Sequence, residues 1–341
     1  MLWACVAAAT GSLTLQCGLS QSTKVSESPR ASKELPLETA ADETTDESID
    51  SPEVERGAID LSNSVLQYNF DSPAEVISLP ESLREISDIV ALSESELACV
   101  QDERGIVFVY DLKAKRISEE VHFGSHGDYE GLAIAAPEAY VLRSDGVLFQ
   151  LSSLNRHPSV RKIELHLPFS ESESLCLDEH HHRLLIAPKS RDQIDKAKDS
   201  RPIYAFDLQS QTLIGEPVTN IRLRDIRRYA KHHDLPLPRR PKKNGESMRN
   251  ALHFLPAAMA VNPSSGELFV VSAVDRVVIS CTASGKITGY AVLDASTFRQ
   301  PEGIAFLPSG DMLLANEGAG KVATLVVVRR KREPAPAHST N

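Results

Sequence analysis

The chain has 341 residues and a formal net charge of −10, and it is long enough for a large core in a single all-β domain. The charge is unevenly spread: residues 24–60 contain eleven acidic and four basic residues, whereas residues 222–249 contain ten basic and three acidic ones. Neither block has the interleaved aromatic residues of a nucleic-acid-binding surface, so we expect no nucleic-acid partner.

The first residues, MLWACVAAATGSLTLQCGLS, form an apolar stretch that is too short to cross a bilayer as an ordinary helix. They suit the apolar region of an export signal. The segment LTLQCG loosely resembles a bacterial lipobox and predicts lipid attachment at Cys17, although Gln16 is unusual there and no Lys or Arg precedes the apolar run. A cleaved secretion signal or a merely apolar N-terminus is the alternative. We predict a lipoprotein-like signal over residues 1–17 and an exported, membrane-anchored envelope protein that faces the periplasm or the cell surface.

Residues 18–64 are rich in Ser, Thr, Glu and Asp and contain no aromatic residue. Such a segment cannot bury enough apolar surface to fold, so we predict a disordered acidic tether. We also predict a disordered tail over residues 331–341, which leaves a folded body over residues 65–330.

Three cysteines of the body, Cys99, Cys176 and Cys281, lie in apolar runs and show no metal-ligand spacing. We expect buried free thiols that pack as small hydrophobic residues.

From residue 87 onward, a pattern of strands and turns recurs five times. The copies begin at Ser87, Glu130, Glu173, Ala257 and Glu302, at spacings of 43, 43, 84 and 45 residues. Each copy has a short apolar strand, a turn, a second strand, a polar turn and a third strand, and a fourth strand precedes the next copy. A four-stranded unit that repeats every ~40–50 residues is typical of a β-propeller blade. We therefore predict an all-β, five-bladed β-propeller.

The longest spacing contains residues 222–255, in which Leu223, Ile226, Tyr229 and Ala230 fall on one helical face before a Pro-rich basic loop. We predict a helical insertion between blades three and four, and a sixth blade is the alternative. The fifth copy lacks a fourth strand, which VLQYNF or AEVISLP near the N-terminus of the body can supply. That strand would close the ring and leave no unpaired sheet edge.

Four segments, LPESLREISDI, GDYEGLAI, ESLCLDEHHHRLLIAPK and QPEGIAFLPSGDMLLANEG, together resemble the SdiA-regulated (YjiK/CarP-like) family of exported bacterial β-propeller proteins. The resemblance covers roughly Val65 to Val328 and rests on strand openings with Glu-Gly-Leu or Glu-Gly-Ile. It implies an exported five-bladed propeller that is linked to calcium and likened to phytases, with no settled reaction. The chain departs at Glu173-Ser174, which lacks the glycine, and at Ala257-Ala258. A ring of metal ligands shared with the family would therefore be incomplete.

One face of the predicted propeller collects charged residues. Successive strands of a blade run in opposite directions, so the start of the first strand and the turn between the second and third strands share a face. Glu130, Glu173 and Glu302 open first strands, with Ser87 and Ala257 at the equivalent positions. The turns and blade links on that face add Asp102, Asp128, Arg143, Asp145, Lys189, Ser272, Asn316 and Glu317. We expect these groups to gather around one mouth of the central channel.

Carboxylates that converge on a narrow opening repel each other and need a cation, water, a basic partner or shifted pKa values. Oxygen ligands without histidine suit Ca²⁺ or Mg²⁺ better than a transition metal. We therefore predict a candidate Ca²⁺ site formed by Glu130, Glu173, Glu302, Asn316 and Glu317. The alternative is that the glutamates only cap strand ends by accepting backbone N–H groups.

Basic residues could reduce the need for a metal at this mouth. Lys189 could be an internal counter-ion for Glu173, and Arg143 could serve Glu130 in the same way or simply face solvent. The basic insertion could lie over the acidic mouth as a lid, remain a solvated surface helix, or meet anionic lipid headgroups.

Two classes of function fit these expectations. The first is a tethered binding or scaffold propeller that takes an unknown protein or small-molecule ligand at its mouth, with or without Ca²⁺. The second is a calcium-dependent hydrolase of phosphoesters or lactones, in which a metal would activate water and a carboxylate would act as base. The chain has no Gly-x-Ser-x-Gly elbow, Walker loop or His-Glu-x-x-His motif. We favour the binding function, since a propeller by itself does not determine the reaction.

Overall fold

The computed structural model describes residues 66–189, 199–241 and 248–331. The predicted signal, the lipidation site at Cys17, the acidic tether and all but the first residue of the predicted tail lie outside these residues. Within the described part, no helix is long and apolar enough to span a membrane.

Five four-stranded antiparallel sheets make up the described fold, and each is one blade. The first strand of the chain, β1 (Glu75–Ser78), belongs to the last blade. Blade 1 contains β2 (Ile86–Ala91), β3 (Glu96–Gln101), β4 (Arg104–Asp111) and β5 (Arg116–His126). Blade 2 contains β6 (Tyr129–Ala135), β7 (Glu138–Arg143), β8 (Val147–Leu151) and β9 (Val160–Glu164). Blade 3 contains β10 (Ser172–Asp178), β11 (Arg183–Pro188), β12 (Ser200–Asp207) and β13 (Thr212–Arg222).

An insertion separates blade 3 from blade 4. It contains helix α1 (Leu223–His232) and a hairpin of β14 (Arg239–Pro241) and β15 (Met248–Asn250). Blade 4 contains β16 (Ala258–Val261), β17 (Leu268–Ser272), β18 (Val277–Cys281) and β19 (Ile287–Val292). Blade 5 contains β20 (Pro301–Phe306), β21 (Met312–Asn316), β22 (Thr324–Val328) and β1. Two short 3-10 helices span Glu81–Leu83 and Glu179–His181.

This architecture confirms the predicted five-bladed propeller and its insertion. The six-bladed alternative is wrong, because the insertion holds only a helix and a two-stranded hairpin among the described residues. The predicted helical face is also present, since Leu223, Ile226 and Ala230 are buried.

The N-terminal segment closes the ring as predicted. Strand β1, from the AEVISLP segment, pairs antiparallel with β22, so that Glu75 lies opposite Val327 and Ser78 opposite Thr324. The VLQYNF segment adds an isolated bridge between Tyr68 and Arg330. The last blade is therefore completed by the first strand of the described chain, and its outer strand gains a hydrogen-bonded neighbour.

The hydrophobic core consists of five clusters, each of which lies between two adjacent blades. The cluster between blades 1 and 2, for example, contains Val107 and Leu132. Because both faces of every sheet are covered, inner strands are apolar at successive positions: all five residues of β17 and of β18 are buried. This arrangement explains why the sequence shows short continuous apolar runs instead of strict alternation.

Cys99, Cys176 and Cys281 are free and buried, as the sequence predicts. Burial raises the pKa of each thiol above its ordinary value. These cysteines therefore remain protonated at neutral pH and pack as small apolar residues.

Strand β1 offers a test of ring closure with a built-in control. Ile77 is buried against the cluster between blades 5 and 1, whereas its neighbour Val76 points outward and is 53% exposed. We expect Ile77→Ala to lower the free energy of unfolding by about 2–4 kcal/mol, since it leaves a cavity, and Val76→Ala to change it by less than about 0.5 kcal/mol. Urea denaturation measures both. Equal losses in the two variants would contradict a closing role for this strand.

Candidate functional site

A β-bulge at the start of the first strand brings the predicted glutamates to the channel mouth. In four blades the pairing of the first strand skips one residue, and the skipped residues are Ser87, Glu130, Glu173 and Glu302. A bulge leaves one residue unpaired and bends the strand locally. Side chains along a strand alternate between the two faces of its sheet, and in a propeller both faces pack against neighbouring blades. The side chain of the unpaired residue does not have to follow this alternation. Blade 4 has Ala257 at this position, and β16 pairs without a shift.

Lys189 is the counter-ion of two of these glutamates. It directly follows β11, and its Nζ lies 2.5 Å from Glu130 Oε1 and 3.4 Å from Glu173 Oε2. Glu173 Oε2 is buried and accepts no hydrogen bond. Arg143 does not serve Glu130: its guanidinium donates to both carboxylate oxygens of Asp145, at 2.9 and 2.8 Å. A single ammonium group thus joins blades 2 and 3 at the mouth.

Glu302 and Glu317 form a second pair of carboxyl groups at the mouth. Gln300 connects them, because its Nε2 donates to Glu302 Oε1 at 2.7 Å and also to Glu317 Oε2. The backbone N–H of Glu317 donates to the carbonyl of Gln300 at 2.9 Å. Burial raises the pKa of both carboxyls. Two carboxyl groups this close share a proton more readily than both ionise.

Burial raises the pKa values of the whole cluster, and repulsion from the other glutamates adds to it for Glu173 and Glu317. Burial, with further contributions from neighbouring charges, brings the pKa of Glu130 to about 7 and that of Glu173 to about 8. The pKa of Glu317 rises to about 8, from burial first and then from Glu85 and Glu302. For Lys189 burial acts downward, but the hydrogen bond to Glu130 and the charge of Glu173 outweigh it and raise its pKa. Near neutral pH this mouth therefore holds protons that ordinary surface carboxyls would have lost.

Asp102 is a further member of the cluster, although it was not among the predicted metal ligands. Its Oδ1 is buried and has no hydrogen-bond partner, and burial together with the charge of Glu85 raises its pKa to about 6. The position of Asp102 in the sequence indicates this placement, because the residue lies in the second turn of blade 1, which faces the mouth. Nothing in the sequence indicates a role for Gln300, which lies just before the first strand of its blade. Only the structure shows that its side chain bridges two carboxyl groups.

Several predicted mouth residues lie elsewhere. Asn316 is fully buried, and its Nδ2 donates to the carbonyl of Thr297 and to Thr324 Oγ1, both at 3.0 Å. Ser272 is also fully buried, and its Oγ accepts a hydrogen bond from the N–H of Leu255 at 3.1 Å. Both residues end second strands, and regular strand geometry directs their side chains into the structure.

The other predicted polar residues remain near the mouth or at its edge. Ser87 is 4% exposed, and its Oγ donates to the carbonyl of Glu85 at 3.4 Å. Asp128 lies close enough to Glu130 for its charge to raise the pKa of that carboxyl. Asp145 is 55% exposed and holds Arg143 at the edge. None of these three gives the glutamates a positive partner.

The donor set does not fit a resident Ca²⁺ ion. Calcium takes six to eight oxygen ligands, and the described part of the chain contains no group of three or more His, Cys, Asp or Glu residues placed to hold a metal. The ammonium of Lys189 lies between Glu130 and Glu173, where a metal shared by these residues would have to lie. The predicted ligand Asn316 is held by its Nδ2, which donates to Thr297 and Thr324, and its Oδ1 is buried without a hydrogen-bond partner.

Helix α1 of the insertion lies on the outer wall of the propeller. Tyr229 Oη donates to the carbonyl of Thr288 at 2.6 Å, and the helix packs against β13 and β19. Its ion pairs join Arg227 to Asp199 at 3.5 Å and Arg228 to Asp225. The hairpin pairs Arg240 with Asp275 at 3.0 Å, in the turn between β17 and β18 on the mouth face of blade 4. No described residue of the insertion forms an ion pair with the mouth glutamates, so helix α1 is a wall helix and not a lid.

A cavity of about 530 Å³ lies at the far end of the channel, and all five first strands line it. Apolar residues such as Leu132, Met259 and Ile304 form much of its wall, and Glu179, His180 and Asn262 add polar groups. The far end of the channel is therefore less charged than the mouth.

No protein-family model matches the chain, and no curated protein matches it. Among solved structures, a glutaminyl cyclase from Myxococcus xanthus is similar with 15% identity over 76% of this chain and 95% of that chain, at a TM-score of 0.49. A luciferin-regenerating enzyme is 10% identical over 75% of this chain and 95% of its own, at 0.44. Hydrazine synthase from Kuenenia stuttgartiensis is 10% identical over 71% and 95%, at 0.41. These likenesses carry no argument about function, and the family resemblance of the sequence stays a prediction.

Proposed function

We propose that the protein is a binding β-propeller of the cell envelope whose acidic channel mouth receives a cationic group of its ligand. The observation that supports the proposal is an imbalance of charge. The ammonium of Lys189 pairs with two carboxyl groups. Five carboxyl groups of the cluster have raised pKa values; they belong to Asp102, Glu130, Glu173, Glu302 and Glu317. The envelope location rests on the predicted export signal and on Cys17, which lie outside the described residues.

The raised pKa values determine how such binding depends on pH. A cation favours the charged form of a nearby carboxyl, so its binding displaces protons from the cluster. Affinity should therefore increase as pH rises through about 7 for Glu130 and about 8 for Glu173 and Glu317. An ammonium or guanidinium group needs fewer oxygen partners than Ca²⁺ does. We thus expect an organic cation to bind at the mouth and Ca²⁺ to bind there more weakly.

Calorimetric titration of the chelator-treated full chain tests this function. Methylguanidinium and Ca²⁺ are each added at about pH 6.5 and about pH 8.5, in buffers of different ionisation enthalpy that report proton release. We expect tighter binding at the higher pH, release of protons, and a loss of roughly tenfold in affinity in Glu302→Gln, or about 1.4 kcal/mol.

Glu164→Gln is the matched control, because Glu164 is an exposed residue of the outer strand β9 and the substitution makes the same change of charge. Absence of heat with both cations at both pH values would refute the proposed function. So would an equal loss of affinity in Glu164→Gln.

A calcium-dependent hydrolase is the second candidate. The observation in its favour is that Glu130 and Glu173 titrate near neutral pH, as a general acid or base should. The donor set does not fit Ca²⁺, so this candidate is supported by the two carboxyls alone. Turnover of phosphoesters or lactones that Glu173→Gln abolishes would favour the hydrolase over the binding protein.

A further inference from the structure

A second cavity, of about 590 Å³, lies on the outer wall between helix α1 and blade 4. Its volume is in the range of small-molecule sites. Three elements line it: the end of β13, helix α1, and the turn between β18 and β19. None of the mouth carboxyls lines this cavity. We call it the wall cavity.

The walls of this cavity are held together by specific contacts. Thr219 Oγ1 on β13 donates to the carbonyl of Ala283 in the turn at 2.7 Å, and Tyr229 Oη fastens the helix to β19. Gly285 has φ +82°, and a Cβ there would lie 2.5 Å from the carbonyl oxygen of Asn220. Only glycine allows the turn to approach β13 this closely. The wall cavity is therefore preformed and does not depend on a loop that closes over a ligand.

Positive charge dominates the wall cavity. Arg222, Arg228 and Lys286 line it, whereas the only carboxylate among its lining residues is that of Asp225, which pairs with Arg228 at 3.2 Å. Arg222 and Lys286 form no ion pair with any residue that the structure describes. His232 also lines the cavity and adds charge when it is protonated. Two exposed cations, which have no carboxylate partner among the described residues, thus face a partly open cavity.

The remaining lining is partly apolar, since the side chains of Tyr229 and Ile287 contribute to it. Guanidinium and ammonium groups bind phosphate oxygens through charge-assisted hydrogen bonds, and an aromatic ring with an aliphatic neighbour suits an apolar group attached to that phosphate. We propose that the wall cavity binds a ligand in which a phosphate is joined to an apolar group. A soluble phosphate ester and a phospholipid headgroup share this chemistry.

Binding of phenyl phosphate to the full chain, measured by calorimetry at low ionic strength, tests the proposal. We expect phenyl phosphate to bind more tightly than either inorganic phosphate or phenol, because each of these offers only half of the recognised chemistry. Arg222→Gln and Lys286→Gln should each weaken the binding by roughly tenfold. Both side chains are exposed, so the variants should keep the melting temperature of the parent chain.

Two controls separate this site from general electrostatics and from the channel mouth. Lys113→Gln makes the same charge change at an exposed lysine in the turn between β4 and β5, and it should leave the affinity for phenyl phosphate unchanged. Glu302→Gln should leave it unchanged as well, since Glu302 does not line the wall cavity. These controls distinguish a failure of the proposed phosphate site in the wall cavity from a failure of the proposed cation site at the channel mouth.

Vesicles distinguish the two sources of the phosphate. If phosphatidylglycerol vesicles retain the chain more strongly than phosphatidylcholine vesicles, and Arg222→Gln removes the difference, the ligand is a lipid headgroup. If phenyl phosphate binds and Arg222→Gln leaves vesicle retention unchanged, the ligand is a soluble ester. The proposal is overturned if phenyl phosphate does not bind and retention is insensitive to Arg222→Gln, or if Lys113→Gln weakens binding as much as Lys286→Gln.

Discussion

Replacement of Gly131 by alanine is expected to lower the free energy of unfolding by about 3 kcal/mol or more, because it forces two blades apart. Gly131 directly follows the bulged residue Glu130. A Cβ at this position would lie 2.5 Å from Leu175 Cβ and 2.6 Å from Leu175 N, in the first strand of blade 3. That backbone cannot retreat, since Leu175 is paired with Ile186 inside its own sheet.

Two other glycines complete a graded series. A Cβ at Gly303 would lie 3.1 Å from both Ala315 Cβ and Ile89 Cγ1, so Gly303→Ala should have an intermediate cost. Gly215 has no atom within 4 Å of such a Cβ, and Gly215→Ala should change stability by less than about 0.5 kcal/mol. Urea denaturation of the three variants measures the order. Equal midpoints for Gly131→Ala and Gly215→Ala would show that blades 2 and 3 are not in close contact at this point.

Replacement of Lys189 by methionine is expected to destabilise the protein by about 2 kcal/mol near pH 8.5 and much less near pH 5. The substitution leaves the carboxyls of Glu130 and Glu173, which are 10% and 18% exposed, without their positive partner. The cost is below that of a fully buried pair because Lys189 itself is 39% exposed and solvent screens its charge.

The sign of the pH dependence follows from the direction of the shifts. In the parent chain the folded-state pKa values of Glu130 and Glu173 are raised to about 7 and about 8. A raised carboxyl pKa contributes stability that is fully present below the unfolded-state value and is lost as pH rises through the folded-state value. Without Lys189, ionisation of Glu130 and Glu173 in the folded state costs more free energy. The free energy of unfolding of the variant should therefore fall more steeply than that of the parent as pH rises through this range.

An exposed ion pair of the same length provides the control. Lys115 Nζ lies 2.5 Å from Glu75 Oε1, as Lys189 Nζ does from Glu130 Oε1, but the side chains of Lys115 and Glu75 are 53% and 46% exposed. Lys115→Met should cost less than about 1 kcal/mol at either pH. Thermal unfolding as a function of pH measures both variants. A loss in Lys189→Met that is independent of pH, or no larger than that of Lys115→Met, would show that the mouth carboxyls do not depend on this ammonium.

The blade boundaries could be predicted because they depend on local pattern. Short apolar runs that are separated by turns recur at spacings of 43 and 45 residues, and the interblade clusters explain why those runs are continuous. The insertion was recognisable because Leu223, Ile226 and Ala230 follow helical periodicity. Closure by an N-terminal strand could be predicted from the absence of a fourth strand in the last copy, although pairing with β22 decided between two candidate segments.

Side-chain direction at the mouth was harder to predict, because it depends on backbone irregularities. Glu302 opens a strand and Asn316 ends one, so sequence position placed both at the same face. The bulge releases Glu302 from the strand alternation, whereas Asn316 remains in regular pairing opposite Thr324 and turns inward. A difference of one residue in register reverses the face to which a strand residue points.

The number of blades, the place of the insertion and the face that carries the glutamates follow from the sequence alone, because repeat length and apolar periodicity are properties of neighbouring residues. The folded ring is needed to show that Lys189 reaches Glu130 as well as Glu173, that Gln300 bridges Glu302 and Glu317, and that the helix covers an outer wall. Those contacts join residues from different blades, from different strands of one blade, or from the insertion and a blade. Their distances depend on the curvature of the whole ring, which no single repeat encodes.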